Sequence, residues 1–390
     1  MSAPAIICWG GFAVLLYAYF GYPLLLAALG RLRRPRPISG GDMTPAVTMV
    51  VAAWNEEAVI AEKMENTLAQ QYPPDRLDLI VVSDGSTDRT DEIVQQYAQR
   101  TGRVQLLRTR GREGKSVALN IGVPAARGEI VVLTDANAIF QPEAVARLVR
   151  PFADPRVGAV SGQLRYRQAE GLGEGEGVYW RYEQAVKRAE SAQHSLVGAN
   201  GSIYAIRREL FRPVHPRDVN DFRIPYQALL EGYAVVLEPE AVSFEHTAGT
   251  LGGEYRRKVR IMARAIPMML ALVWPTLARG RLLVLWQLLS HKVLREIQGV
   301  FFVAALGGAA WGAAAGDRML LAFLAAQGVL YLLGAVGWVA PAAARCRPLR
   351  LAAHFDMIAL ASVAALWLWL TGRVRATWTP ARPGPGQPSG

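Results

Sequence analysis

Cysteine is nearly absent: two residues in 390, Cys8 in an apolar run and Cys346 in a basic stretch. Two thiols so far apart exclude a disulfide framework or a zinc cluster, and they fit a reducing compartment for the middle of the chain. Also missing is any basic motif interleaved with aromatics, so the formal net charge of +11 does not point to nucleic acid. Much of the excess lies beside apolar segments instead: Arg31, Arg33, Arg34 and Arg36; Arg256, Arg257, Lys258 and Arg260; Arg345, Arg347 and Arg350. Basic residues flanking apolar runs mark the cytoplasmic leaflet and its lipid headgroups. The residues ahead of the first apolar run contain neither lysine nor arginine, and that run, residues 5–29, exceeds the ~7–15 residues of a signal core. It is expected to be an anchor with its N-terminus outside and Arg31 inside, which leaves the following region in the cytoplasm.

Hydrophobic residues make up 52% of the chain but gather at its two ends. Between them, a linker rich in Pro, Gly and charge (30–44) leads into a globular region (45–250). VTMVVAAW (47–54), LDLIVVS (77–83), VQLLRT (104–109) and EIVVLTDA (129–136) are apolar, β-branched runs separated by helical patterns. This β-α-β-α alternation predicts an α/β domain with a mainly parallel sheet and helices on both faces. Ligands in such sheets bind past the carboxyl ends of the strands. Three polar clusters fall there: Asn55-Glu56, Asp84-Gly85-Ser86-Thr87-Asp88 and Asp135-Ala136-Asn137.

The second half of the region continues with a strand (157–166), a helix (176–193), a Gly-rich turn into a strand (198–210), a helix (219–233) and a strand broken at Pro239 (234–245). Residues 251–295 are basic and apolar, interrupted at Pro267 and Pro275. Arg257, Arg260 and Arg264 fall on one helical face, which suggests amphipathic helices lying at the membrane surface. About three membrane helices are expected within 296–372, near 297–316, 319–341 and 351–371. A flexible tail follows (373–390). Three full spans after a cytoplasmic domain would place that basic tail outside, unless one segment is re-entrant or interfacial.

The motifs AAWNEE (52–57), VVSDGSTD (81–88), GKSVALN (114–120), TDAN (134–137), GANGSIYAIRRELF (198–211), NDFRIP (220–225) and EGYAVVLEPEA (231–241), in this order, resemble the membrane-bound family 2 glycosyltransferases. That group includes synthases of cellulose, hyaluronan and poly-N-acetylglucosamine. The resemblance covers about residues 45–265. It implies a GT-A fold, a multi-pass inner-membrane protein, and sugar transfer with inversion from a nucleotide sugar, UDP-linked, with Mg2+ or Mn2+. The acceptor would be a polysaccharide or a lipid-linked glycan.

The resemblance assigns Asp84 to the base and ribose of the donor, with Asn55 and Glu56 lining the same pocket. By itself Asp-Gly-Ser is also ordinary turn chemistry, and Asp88 either caps the next helix or binds donor. Lys115 follows Gly114 at a helix start, where it either reaches a phosphate or is merely solvated; the spaced glycines of a P-loop are absent. Asp135 stands where the family binds metal, and Asn137 where many members carry a second Asp, so Asp135 and Asn137 are the candidate metal ligands. Asp221 matches the catalytic base, while Gly198, Asn200 and Gly201 let the backbone approach the acceptor. Arg257 and Arg260 have the spacing to reach a diphosphate from one helix face.

Several family features are missing. Ser83, Asn137 and Asn220 stand where acids are usual, and no Gln-x-x-Arg-Trp motif follows the domain, which removes an aromatic platform for a growing polymer. These losses define the alternative: a membrane protein that binds nucleotide sugar but is catalytically impaired. Retention of Asp84, Asp135 and Asp221 favours the enzyme.

Overall fold

The computed structural model describes residues 1–32, 41, 43–167, 174–246, 251–340 and 346–374. The expected linker and tail lie largely outside the described residues. The chain divides into a sheet-bearing unit, chiefly residues 43–167 and 187–246, and a helical unit of residues 1–32, 174–186, 251–340 and 346–374.

In chain order the elements are α1 (Ala3–Leu16), α2 (Tyr22–Leu32), β1 (Val47–Ala53), α3 (Ile60–Leu68), β2 (Leu77–Ser83), α4 (Thr90–Thr101), β3 (Val104–Arg108), α5 (Lys115–Ala125), β4 (Ile130–Asp135), β5 (Ile139–Phe140) and α6 (Ala144–Val149). Then come β6 (Val157–Arg167), α7 (Glu174–Gln193), β7 (Ile203–Arg207), α8 (Asn220–Glu231), β8 (Ala234–His246), α9 (Leu251–Ala278), α10 (Leu282–Gln287), α11 (Leu294–Glu296), α12 (Gln298–Ala314), α13 (Arg318–Val339) and α14 (Arg347–Leu370).

One eight-stranded sheet runs in the order β3-β2-β1-β4-β7-β6-β8-β5. β1, β2 and β4 are buried at almost every position, as strands are when helices cover both faces. The first four strands pair in parallel, as the alternation predicts. At β4 the direction reverses: β7 runs antiparallel to both β4 and β6, and β8 pairs in parallel with β6. The sheet is therefore a parallel half joined to a mixed half. Periodicity locates strands but not their direction, which is why the reversal is not visible in sequence. Pro239 does not break β8; the ladder slips instead, with Ser161 opposite Leu237 but Gln163 opposite Val242. A residue with no N–H is accommodated in such an irregularity.

The helical unit holds four helices, among the described residues, that are long and apolar enough to cross a membrane: Ala3–Leu32, Gly252–Ala278, Arg318–Val339 and Arg347–Leu370. The first joins α1 to α2 through a π-helical turn at Tyr17–Gly21. Two expectations need adjusting. The segment near 297–316 is α12, a 17-residue helix that forms with Leu282–Glu296 a pair bent by 61°. In the 251–295 region, α9 is not interrupted but runs through Pro267 and Pro275. Neighbouring helices let apolar helices keep a proline that a solvated helix would not tolerate. Met262, Ala263 and Ile266 of α9 cluster with Met357, Ile358, Ala361 and Ala365 of α14.

Small residues let the helices approach closely. A Cβ at Gly308 of α12 would stand 2.6 Å from Cys8 N and 2.8 Å from Pro4 O of α1, whereas one at Gly307 would meet nothing within 4 Å. Without a hydrophobic driving force between spans, such contacts carry the association. Gly308→Leu should destabilise the detergent-solubilised protein by about 1–3 kcal/mol through overpacking, while Gly307→Leu leaves the melting temperature unchanged; thermal melts monitored by tryptophan fluorescence distinguish the two.

Candidate active site

The parallel half supplies one side of the site. β1 ends in Trp54-Asn55-Glu56, where Asn55 has φ +53°, the one positive value at a non-glycine among the described residues. Asn Oδ1 accepts from Thr87 N (2.8 Å), its Nδ2 donates to Thr87 Oγ1 (3.2 Å), and its backbone N–H donates to Ser86 Oγ (3.1 Å). Glu56 N donates to Thr90 Oγ1 at 2.8 Å. Asp88 accepts from Thr90 N and Oγ1 with one oxygen and from Glu57 N with the other, so it fastens the start of α4 to the exit of β1. The loops after β1 and β2 are thus stitched into one surface.

Asp84 builds that surface from below. Its carboxylate accepts from Glu113 N at 2.8 Å and from Gly114 N at 2.8 and 3.0 Å, with Thr109 Oγ1 at 3.3 Å. It holds the 109–114 loop in place. Gly85 (φ +72°) permits the fit, since a Cβ there would lie 2.9 Å from Gly111 C. From this loop the Arg112 guanidinium lies over the Trp54 ring, 3.5 Å from its centroid.

Lys115 is not merely solvated. Its Nζ meets Asp135 Oδ1 at 2.5 Å, with side-chain exposures of 18% and 35% for the pair. Burial alone would push the ammonium pKa down; Asp135, with Asp221 and Glu245 beyond it, overcomes this and holds Lys115 above its ordinary value. Asp135 ends β4, and Ala138 N closes the following turn onto Asp135 O at 3.2 Å. Asn137 in that turn is half-buried and, among the described residues, its side chain has no hydrogen-bond partner. Among the described residues no group of three or more His, Cys, Asp or Glu side chains could cage a metal. The carboxylate of Asp135 and the free amide oxygen of Asn137 nonetheless fit a hard cation of the Mg2+ or Mn2+ type, which commonly takes one or two protein oxygens and completes its shell with substrate phosphates and water.

The mixed half supplies the other side. Asp221 sits in the first turn of α8, and the 198–202 turn wraps it. Ala199 N donates to Asp221 O at 2.8 Å, and a Cβ at Gly201 would stand 2.8 Å from Asp221 Oδ2. Gly198 (φ +120°) lies under the Phe222 ring. Asn200 turns inward: its Oδ1 accepts from Ser202 N and Oγ, and its N–H donates to Ser161 Oγ. Burial raises the Asp221 pKa above the usual carboxylate value; Lys115 opposes this and Asp135 adds to it. The neighbouring Asn220 is buried with its Oδ1 unpartnered, so a second acid there would add another buried charge. Asn120, on α5, braces the approach to α8 by exchanging hydrogen bonds with the backbone of Val214.

Asp135, Lys115, Asp221 and the 198–201 turn are therefore brought together, with Asn55, Glu56 and Asp84 on the adjoining surface. Arg257 and Arg260 are not part of this unit. Both lie on α9 of the helical unit, where Arg257 makes a two-pronged pair with Glu254 at 2.7 and 2.8 Å.

Two residues escaped the sequence reading. Tyr204 on β7 is fully buried, its hydroxyl has no partner, and Asp221 and Asp135 add to burial in raising its pKa far above the ordinary value. Lys63 on α3 is also fully buried, and burial lowers its pKa to about 7 against the pull of Asp135 and Glu245. A signal for Lys63 was present: Ile60, Lys63, Met64 and Thr67 share the buried stripe of α3, where a lysine is out of place. Tyr204 sits in an unremarkable strand pattern and gave none.

Known proteins are similar to this chain in sequence and in fold. Residues 48–214 match the family described as glycosyl transferase family 2. A poly-beta-1,6-N-acetyl-D-glucosamine synthase of Staphylococcus epidermidis is 24% identical over 264 residues, 66% of this chain and 63% of that protein. The enzyme of the same name from Staphylococcus aureus is 26% identical over 232 residues, 58% of this chain and 56% of that one. The chain thus spans about three fifths of the length of these relatives. A solved structure, a mannosyltransferase from Pyrobaculum calidifontis in complex with GDP-Man and Mn2+, superposes with a TM-score of 0.71 at 26% identity, covering 94% of this chain and 99% of that one. Residues 48–214 thus carry a glycosyl transferase family 2 domain on a GT-A-like sheet.

Proposed function

We propose that the sheet-bearing unit transfers a sugar, with inversion, from a nucleoside-diphosphate sugar to a hydroxyl of a polysaccharide or lipid-linked glycan at the inner membrane. The observation that carries this is the placing of a buried carboxylate, Asp221, beside the Lys115–Asp135 pair, with each supplied by a different half of the sheet. Asp221 accepts the proton of the acceptor hydroxyl as its oxygen bonds to the anomeric carbon. The bond from that carbon to the diphosphate breaks, and the nucleoside diphosphate departs with the electron pair. Lys115 faces the charge that develops there. Asp135 and Asn137 would hold Mg2+ or Mn2+, which supplies further neutralisation of the leaving group. Trp54, with Arg112 on its face, offers a flat surface for the nucleobase at the end of β1.

A UDP-linked donor is supported by the resemblance to polymer synthases, whereas likeness along nearly the whole chain to a protein solved with GDP-Man supports a guanosine nucleotide. The missing Gln-x-x-Arg-Trp motif argues for short products rather than long polymer. Arg257 and Arg260 are retained in the proposal as phosphate-binding groups of the helical unit.

Incubation of the purified protein with a panel of UDP- and GDP-sugars and Mn2+ should release nucleoside diphosphate from at least one of them. Asp221→Asn should reduce release at least about a hundredfold, the scale of a lost general base. No release from any donor would sink the enzyme and leave a nucleotide-sugar-binding protein. Asp135→Ala should abolish turnover, while Asn137→Asp should retain or raise it at lower Mn2+ concentration; a folded Asn137→Asp protein without activity would rule out the assigned ligand pair.

The pH profile gives a separate test. Activity requires ionised Asp221, so it should fall as pH drops through the Asp221 pKa, above the range of an ordinary carboxylate. Lys115 stabilises the ionised form, so Lys115→Met should move the acid limb upward by about 1 pH unit as well as weaken donor binding.

A further inference from the structure

Lys63 buries an ammonium group that takes no part in the chemistry proposed above. Its Nζ donates to Thr134 Oγ1 at 3.1 Å and to Ala138 O at 2.6 Å, and lies 4.1 Å from the centroid of the Phe140 ring. Those contacts bracket the turn that presents Asp135 and Asn137, from the residue before Asp135 to the residue after Asn137. The Thr134 hydroxyl passes the connection on, donating to Ser202 O at 2.7 Å. Ser202 Oγ in turn meets Asn200 Oδ1 at 3.0 Å and Ser243 Oγ at 2.8 Å. A buried chain of hydrogen bonds therefore runs from α3, under the metal turn, to the 198–202 turn that wraps Asp221.

The same face of α3 carries two further rungs. Asn66 exchanges hydrogen bonds with Phe140 O and N, and Gln70 bonds Gln141 O and Val145 N. Lys63, Asn66 and Gln70, at three- and four-residue spacing, thus hold successive parts of the 138–145 segment on one helix face. Asn66 and Gln70 reach only the chain beyond the turn. Lys63 alone of the three reaches the turn itself and, through Thr134, the opposite half of the sheet. A fully buried lysine is costly unless its donors are satisfied. An apolar residue would pack the same stripe of α3 more cheaply, so simple packing does not account for the charge.

We infer that Lys63 is a positioning residue that sets the donor-side turn (134–138) and the acceptor-side turn (198–202) as one piece, linked by Thr134. The inference rests on the proposed function in placing a donor diphosphate at the first turn and an acceptor at the second. Groups that orient the ligands of a metal site typically change affinity or activity by 10–100-fold when removed.

Hydrogen–deuterium exchange on the full-length protein in detergent tests the linkage without any ligand. Lys63→Met should raise exchange in peptides covering both 134–140 and 198–204. Asn66→Ala should raise it in 139–145 alone. Thr134→Val should loosen 198–204, and Thr134→Ser, which keeps the hydroxyl, should restore it. In parallel, Lys63→Met should weaken UDP or GDP binding in the presence of Mn2+ by about tenfold or more, with Asn66→Ala changing it by less than about twofold. If Lys63→Met loosens 134–140 while 198–204 stays protected, or if Thr134→Val behaves as Thr134→Ser, the linkage is wrong. If Lys63→Met and Asn66→Ala lower the melting temperature alike and neither alters nucleotide affinity, Lys63 only holds the fold together. A wild-type protein that binds neither nucleotide would instead overturn the proposed function, and the exchange pattern alone would then decide the linkage. Should Lys63→Met fail to fold, the Thr134 pair carries the same decision.

Discussion

Three carboxylates, Asp135, Asp221 and Glu245, bear on one region, and only a balance of charge permits them there. Each acts on Lys115, and Asp135 and Glu245 also act on Lys63. Removed from water, two like charges at close range repel far more than they do in solvent. Lys115 in direct contact with Asp135 relieves the crowding, while burial holds the Asp221 pKa above its ordinary value. Asn137 and Asn220 are amides, which add no further negative charge to this region.

The position of the site follows from the reversal between β4 and β7. Up to β4 the chain is a series of parallel β-α units whose strand ends all face one edge, and the donor-side loops lie there. Beyond it, β7 runs back from that edge, so the turn that feeds β7 arrives at the same place from the opposite direction. Asp135 at the end of β4 and Gly201 at the entry to β7 are therefore neighbours although 66 residues separate them. The close approach of Gly201 to Asp221 then fixes that carboxylate against this junction.

Much of this was legible in the residues. The first four strands and their helices follow from β-branched runs alternating with helical stripes. The polar clusters at Asn55, Asp84 and Asp135 mark the functional edge because strand ends collect polar residues only where something must be bound or a turn made. What each side chain does was less legible. Asp84 turns to the 109–114 loop and Asn200 to its own turn, choices set by backbone geometry that a sequence does not carry. Strand direction past β4, and the unbroken passage of α9 through Pro267 and Pro275, depend on neighbours distant in the chain. Lys63 shows the opposite case: a charged residue on an apolar helical stripe is visible in the sequence, although it belongs to no strand-end motif.

The reversal in the sheet also divides the gene. Asn55, Asp84, Lys115 and Asp135 all precede β6 in the chain, and Gly198, Gly201 and Asp221 all follow it. Thr134, from the earlier stretch, and Ser202, from the later one, are joined across that seam by a single hydrogen bond from the threonine hydroxyl to the serine carbonyl.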